Sequence, residues 1–403
     1  MHILSSHNRS EFLATPQMIR FDYVEGKKGF EPTLLIKANT LLLKYIVQGV
    51  DVQIIFMRME NRLLYAIRLK DDDIKPCFLW SILEREGEKK AIIALSKAET
   101  CEVFLFNELA INVAWASKSV IANKNLTELT TGIVMGPVDY NTFKIKVSTI
   151  LDQLHNGKLT GSEVIVKDLT NSSPWNPISN NYITSHATAS PIELFDSDEG
   201  GQQEQMAIWL TDNLHPLGVY LSPQIPKDKG FRELTDVLLS YQFGSILIES
   251  KSLTIFGRET IPNRTKLARD LLKHIKKAVN QLKGGIRQLR NGVTVTSTSG
   301  FIIDVERTQP VHAIVMVPDL DLIEDRKAFG LSMIEDFFKD THSFIHLVDI
   351  AELLRIVQAA EIIASHGKQT TPMMAFDYYL IERAKKSYDA GTLCIEVLLR
   401  GGE

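Results

Sequence analysis

The segment FRELTDVLLSYQFGSILIESKSL brings together two carboxylates and an ammonium in a pattern capable of chemistry. Glu249 and Lys251 are two residues apart, so on a strand they face the same way while Ser250 faces the other. Asp236 lies on the preceding apolar run, and Gln242-Phe243-Gly244 reads as the short turn of a hairpin that carries Asp236 to that pair. Two carboxylates offer hard oxygen ligands to a divalent ion such as Mg²⁺. Such an ion polarises a phosphoryl oxygen and lowers the pKa of a bound water. A lysine beside it can orient the attacking water or offset charge developing on phosphate. Leu234, Val237, Leu238, Ile246, Leu247 and Ile248 would hold these groups on rigid strands. Taken alone, the three residues fit an exposed hairpin face of mixed charge equally well.

The stretch that follows tilts the balance. Between Lys251 and Arg290 there are 11 basic residues and two acids, a local balance of +9 in a chain of net charge −4. Arg264 to Leu289 has helical spacing, so these cations would line a helix directly after the candidate site, with Lys273, Lys277 and Arg287 set to meet a phosphate backbone. A solvated helix face is the plainer reading of any Lys-rich helix. Lys277, Gln281 and Gln288 share one helix face. Gly284-Gly285 interrupts the pattern and marks either a close approach to a sheet or a kink.

With these residues in place, the sequence resembles the PD-(D/E)xK nuclease superfamily, the restriction-endonuclease-like fold. Asp236 matches the first half of its motif and Glu249-Ser250-Lys251 the second. Gln281 matches the polar helix position, often Gln, that many members place near the site. Glu233 is similar to the Glu that some subgroups carry three residues before the Asp, and Glu204 could supply the further acid of other members. The chain departs from the pattern at Thr235, where the motif has proline. The resemblance spans roughly residues 203–350 and leaves the first 165 or so unassigned. It implies an α/β (α+β) core with a central mixed sheet flanked by helices. It also implies Mg²⁺ or Mn²⁺ on Asp236 and Glu249, water attack assisted by Lys251, and Gln281 positioning water or substrate. The substrate would be nucleic acid, DNA first. A homodimer, or a partner protein in a bacterial restriction or anti-phage defence system, fits the same picture. The rival expectation is a nuclease-fold subunit that binds nucleic acid or a partner without catalysis.

Around that core, 403 residues suggest two or three domains. A hydrophobic fraction of 44% and a charged fraction of 23% provide for a buried core and argue against wholesale disorder. The three cysteines, Cys77, Cys101 and Cys394, form no disulfide framework or zinc spacing, and a reducing cytoplasm suits them. No signal peptide and no membrane-length apolar run is apparent.

Residues 1–165 read as a β-rich domain for sensing, recognition or partner binding. Hairpins are expected at Glu60-Asn61 and at Glu86-Gly87-Glu88. CEVFLFNELAINVAWA is open between strand and helix, and YNTFKIKVSTILDQL has helical spacing. Residues 166–203, rich in Ser, Thr, Asn, Pro and Gly, read as a linker. Residues 204–403 read as the nuclease-like domain with an α/β extension: HAIVMVPDL is a buried strand, FIHLVDIAELLRIVQAAEII a strand then a helix, and LCIEVLLR a closing strand. Two other clusters carry less weight. His342 and His346 are four apart, as on a helix, but His346 sits in the expected strand FIHLVD, which breaks that spacing. Asp319, Asp321 and Glu324 follow a strand, where acids commonly cap helices. Asp71-Asp72-Asp73 reads as a solvated turn.

Overall fold

The computed structural model describes residues 4–26, 29–72, 74–119, 125–159, 164–184, 190–256, 258, 260–307, 311–323, 325–367 and 369–395. The chain forms two compact units. One comprises residues 1–179 and 193–195, the other 180–192 and 196–403. Among the described residues no helix is long and apolar enough to cross a membrane.

The first unit is built on strands β1 (Met18–Gly26), β2 (Gly29–Lys37), β3 (Val52–Met59), β4 (Arg62–Leu69), β5 (Cys77–Ile82), β6 (Thr100–Phe106), β7 (Asn112–Ser119), β8 (Val164–Asn171) and β9 (Asn176–Pro177). They hydrogen-bond in the order β1-β2-β6-β7-β8-β3-β4-β5, with β9 beside β7. Helices α1 (Ser6–Ala14), α2 (Thr40–Val47), α3 (Glu86–Leu95), α4 (Asn125–Leu129) and α5 (Tyr140–His155) accompany the sheet. Val147 and Leu151 of α5 close a core over Ile55, Met57, Leu64 and Ala66. The turn at Glu60-Asn61 forms as expected, with Glu60 at φ 57°. The ambiguous run resolves into β6 and β7.

The hairpin expected at Glu86-Gly87-Glu88 is not formed, because these residues open α3. Glu88 curls back so that its carboxylate accepts from the backbone N–H of Glu84 (2.9 Å) and of Arg85 (3.4 Å). This satisfies donors that a helix start leaves free. β8 and β9 lie in the stretch read as a linker, and β8 pairs with β3 and β7, so the first sheet extends past residue 165.

The second unit begins with the short pair β10 (Asn180–Tyr182) and β11 (Ser190–Ile192), then helix α6 (Glu199–Asp212). Next come β12 (Gly218–Leu221), β13 (Gln224–Lys227), β14 (Gly230–Glu233), β15 (Val237–Tyr241) and β16 (Gly244–Ser250), followed by the long helix α7 (Arg264–Arg290). The chain continues through β17 (Val295–Thr296), β18 (Ile302–Ile303), β19 (His312–Val317), α8 (Leu331–Thr341), β20 (Phe344–Asp349), α9 (Ile350–His366) and α10 (Pro372–Ala390). The central sheet has the order β12-β15-β16-β19-β20. β12, β15 and β16 are antiparallel neighbours, whereas β19 and β20 run parallel to β16. α7 packs on β16 and β19, α6 on β12, β15 and β16, and α8, α9 and α10 on β20. This is a mixed α/β unit with a mixed central sheet between helices. A second, antiparallel sheet has the order β14-β13-β17-β18. The closing strand expected at LCIEVLLR lies mostly outside the described residues, as do Asp73 and Glu324.

Two local features decide how the site is held. Every residue of β16 is buried, as its near-continuous apolar run requires of a central strand. α7 buries Leu267, Leu271, Ile275, Ala278, Leu282, Ile286 and Leu289, a stripe at helical spacing. Asn263 caps its start by accepting from the Lys266 N–H (2.9 Å). Gly284-Gly285 does not break the helix. A Cβ built on Gly285 would lie 3.1 Å from the Leu234 carbonyl oxygen and 3.1 Å from Leu247 Cδ2, so the glycine marks close helix–sheet approach.

Candidate active site

Asp236 stands one residue before β15, and Lys251 one residue after β16. The antiparallel register places Val237 opposite Ile248, which brings Asp236 level with the end of β16. Its backbone is fixed from both sides. The Asp236 carbonyl accepts from the Ser222 N–H (2.8 Å), and the Leu234 N–H donates to the Pro223 carbonyl (2.8 Å). The buried Thr235 hydroxyl donates to the Ile248 carbonyl (2.7 Å), which ties the residue before Asp236 to β16. The departure from proline therefore supplies a cross-strand tether. On the other side the Lys251 N–H donates to the Met316 carbonyl of β19 (2.8 Å).

The three side chains converge. Lys251 Nζ donates to Glu249 Oε2 at 2.7 Å and to Asp236 Oδ2 at 3.3 Å. The same Asp236 oxygen accepts from the Ser250 N–H at 2.6 Å. Glu249 is only 1% exposed and Asp236 8%. Burial first, and then the Asp236 charge, push the Glu249 carboxyl up to about 7 against the pull of Lys251. Burial opposes the Lys251 ammonium, but Glu249 and Asp236 outweigh it and hold its pKa above the usual lysine value.

Two further acids act on this spot. Glu204, half-buried on α6, is raised to about 7 by burial and by repulsion from Asp236 and Glu233. Glu233, exposed at the end of β14, also repels Glu249. Glu199, at the start of α6, anchors the chain beyond Lys251 by accepting from the N–H groups of Ile255 (2.7 Å) and Phe256 (2.8 Å). Asp236 and Glu249 thus contact the ammonium of Lys251, while Glu204 and Glu233 act on those carboxyls from nearby.

Could these residues hold a divalent cation? Among the described residues no group of three His, Cys, Asp or Glu side chains is placed to share a metal ion. The donor set is the Asp236–Glu249 pair. One or two carboxylates suit Mg²⁺, which keeps several of its waters. Burial is the first cause of the raised Glu249 and Glu204 carboxyls, and repulsion from Asp236 the second. The donor chemistry therefore fits a hard cation.

The other expected residues are placed as follows. Gln281, Lys273, Lys277 and Arg287 are exposed on α7. Among the described residues Gln281 makes no hydrogen bond to Asp236, Glu249 or Lys251, and Lys273 lies 3.7 Å from Asp270. α7 nevertheless covers the right face of the sheet. Leu247, which meets Gly285, alternates onto the same side of β16 as Glu249.

Asp319 and Asp349, at the ends of β19 and β20, act as helix caps. Asp319 accepts from the Asp321 N–H (2.8 Å), and Asp349 from the Glu352 N–H (2.8 Å). His346 sits in β20 against His312 (3.0 Å) and has no relation to His342, which ends α8. Sequence reasoning missed Thr235 as a tether, the Ser250 N–H as a donor, and Gln203, whose Nε2 donates to the Met316 carbonyl (3.3 Å). Nothing in residue spacing signals these contacts, which depend on strand register. No family model matches this chain, and neither a curated protein nor a solved structure matches it significantly.

Proposed function

We propose that the C-terminal unit hydrolyses phosphodiester bonds of nucleic acid, with DNA the first substrate to test. The observation that carries this reading is the convergence of the buried Asp236 and Glu249 carboxyls with Lys251 at adjoining strand ends. Asp236 and Glu249 would hold Mg²⁺ or Mn²⁺. When bound, such an ion supplies Lewis-acid polarisation of phosphate and a more acidic water.

The chain's own residues do the rest. The Ser250 N–H and Lys251 Nζ orient the Asp236 carboxylate, and Lys251 also fixes Glu249. Lys251 stays protonated between them, and its charge would offset negative charge developing on a phosphate brought to the site. The exposed cations of α7 would draw the phosphate backbone toward the face of β16 that carries Glu249. A mixed sheet between helices is also what the likeness to PD-(D/E)xK nucleases implies, and it supports this reading at the level of fold class.

The test is cleavage of plasmid DNA, single-stranded DNA and RNA with Mg²⁺, Mn²⁺ or EDTA, comparing the wild type with Lys251→Ala. Cleavage that needs metal and is lost in the variant is the expected result. Cleavage that persists in Lys251→Ala removes these residues from the chemistry. Specific nucleic-acid binding without cleavage under any condition would favour the non-catalytic subunit instead.

A further inference from the structure

A cleft stays open at one edge of the central sheet of the second unit. β20 ends that sheet, and α8 and α10 both pack on it. Gly330 bridges to Thr392, and the Leu393 N–H donates to the Phe329 carbonyl (2.9 Å), so the end of α10 sits beside the start of α8. One turn in, the Tyr388 hydroxyl donates to Glu335 Oε1 (3.5 Å). The two helices therefore run side by side in opposite directions. Between them and the first residues of β20 lies a cleft of about 500 Å³, lined by Ile334, Phe338, Phe344, Ile345, Ala384 and Tyr388.

Its apolar lining continues onto the surface. Phe338 is 47% exposed and Tyr388 53%. Leu331, two turns before Phe338 on the same face of α8, is exposed as well, and so is Tyr378, two turns before Lys385 on α10. Scattered exposed apolar residues are ordinary, but a contiguous patch around a cleft marks an interaction site.

The charges around the cleft are sorted by position. Glu335 and Asp389 stand toward the end where α8 starts and α10 finishes. Lys339 and Lys385 stand one turn away on each helix, about 6 Å along the cleft. All of these are exposed. Among the described residues Lys339 makes no ion pair, and Lys385 meets Glu382 of its own helix (2.6 Å). A cleft with an acidic end and a basic end does not select an ion of either sign. It is complementary to itself. A two-fold axis across the helices lays the acidic end of one copy on the basic end of another and brings their exposed rings together.

We infer that this face joins two copies of the chain in an isologous pair, with Phe338 and Tyr388 at its centre and Glu335 and Asp389 of each protomer meeting Lys339 and Lys385 of the other. The contact uses none of the residues of the candidate active site and does not depend on the hydrolysis reading.

Sedimentation equilibrium of the full chain over a range of concentrations tests it. The wild type is expected at twice the 45.4 kDa of one chain. Phe338→Glu, a charge set on an already exposed position, is expected at the mass of a single chain. Two further variants give the rim one sign. Glu335→Lys with Asp389→Lys leaves only lysines at these positions, and Lys339→Glu with Lys385→Glu leaves only acids. Each alone should sediment as a single chain, because like charges then meet across the axis. An equimolar mixture of the two should regain the doubled mass, which also shows that both variants fold. A wild type that stays at the mass of one chain at every concentration overturns the pairing. So does a doubled mass that survives Phe338→Glu and both rim variants, since the contact then lies elsewhere. Rim variants with wild-type far-UV circular dichroism that fail to recover the doubled mass on mixing overturn it too. If the wild type stays single while added anilinonaphthalene sulfonate fluoresces with it and not with Phe338→Glu, the cleft belongs to a small apolar molecule instead.

Discussion

Replacing Asp236 by Ala and by Asn separates the structural work of that residue from its chemical work. Asp236 Oδ2 accepts from the buried Ser250 N–H at 2.6 Å and from Lys251 Nζ at 3.3 Å. Ala removes the acceptor and strands the Ser250 N–H in a buried place, at a cost of about 1–3 kcal/mol. Removing the charge also relieves Glu249 and Glu204, but burial stands ahead of Asp236 among the causes of both shifts, so the relief returns only part of that cost. Asn keeps an oxygen for the Ser250 N–H while removing the charge, so it gains the relief without the full loss. In a unit of this size 1 kcal/mol corresponds to about 2–4 °C in Tm. Asp236→Ala should therefore melt roughly 2–10 °C below the wild type, and Asp236→Asn should lie much closer to it. Both should lose metal-dependent cleavage, and both should lose any rise in Tm on adding Mg²⁺. Differential scanning calorimetry in EDTA and in Mg²⁺, with the plasmid assay alongside, reads all of these. Equal melting of the Ala and Asn variants would deny the Ser250 bond its weight, and wild-type cleavage by Asp236→Asn would remove Asp236 from the site.

Two other outcomes follow from particular contacts. A Cβ on Gly284 meets nothing within 4 Å, so Gly284→Ala should raise stability by up to about 1 kcal/mol through helix propensity. Gly285→Leu should lower it by about 1–3 kcal/mol, since its Cβ alone already approaches the Leu234 backbone, and urea titration distinguishes the two. Two sets of buried groups should pull the pH dependence of Tm in opposite directions over overlapping ranges. His346 is buried against His312, and burial first, then His312 and Arg383, depress its pKa well below 6.5. The unfolded chain therefore takes up a proton that the folded chain refuses, and stability is lost as pH falls below about 6.5. Asp319 and Asp349 are raised by burial, to about 7 and about 6, so the folded chain keeps their protons longer and stability is lost as pH rises from 3.8 through that range. His346→Gln, which can still donate to His312, should weaken the loss on acidification (the acid limb), and Asp319→Asn the opposing trend. A Tm profile left unchanged by His346→Gln would show that another group sets the acid limb.

How far the sequence led depended on the range of the interactions involved. The short apolar runs of β3, β4, β15 and β16 and the helical stripe of α7 are local patterns, and each formed where it was read. AIIALS is apolar without a decisive period, and the turn-like Glu86-Gly87-Glu88 before it pointed to a strand. The deciding contact is the Glu88 carboxylate bonding back to two N–H groups, a capping geometry that spacing without a Ser or Thr signal does not reveal. The Asn- and Pro-rich stretch after residue 170 looked like linker because its composition is loop-like, yet β9 finds an edge on β7 and so carries structure. At the site, the identities of Asp236, Glu249 and Lys251 were readable from types and spacing. The contributions of Thr235, Ser250 and Gln203 were not, because each depends on a partner in another element.

A perturbed carboxyl does not by itself mark a working site in this protein. Asp319 is raised to about 7, as far as Glu249, and it too stands at the end of a parallel strand. The difference lies in what each oxygen does. Asp319 accepts from the Asp321 N–H two residues on and so finishes the start of its own helical turn. Asp349 does the same for α9. Burial raises their pKa values, and the backbone donors of the caps pull against it. Asp236 and Glu249 come from two different strands, share one lysine, and face Glu204 and Glu233 from two further elements. No helix start or turn needs that meeting. Apolar residues at these strand ends would pack without repulsion, so stability alone gives no reason to set two buried carboxyls around Lys251. A cation and a phosphate brought to the same place would give one.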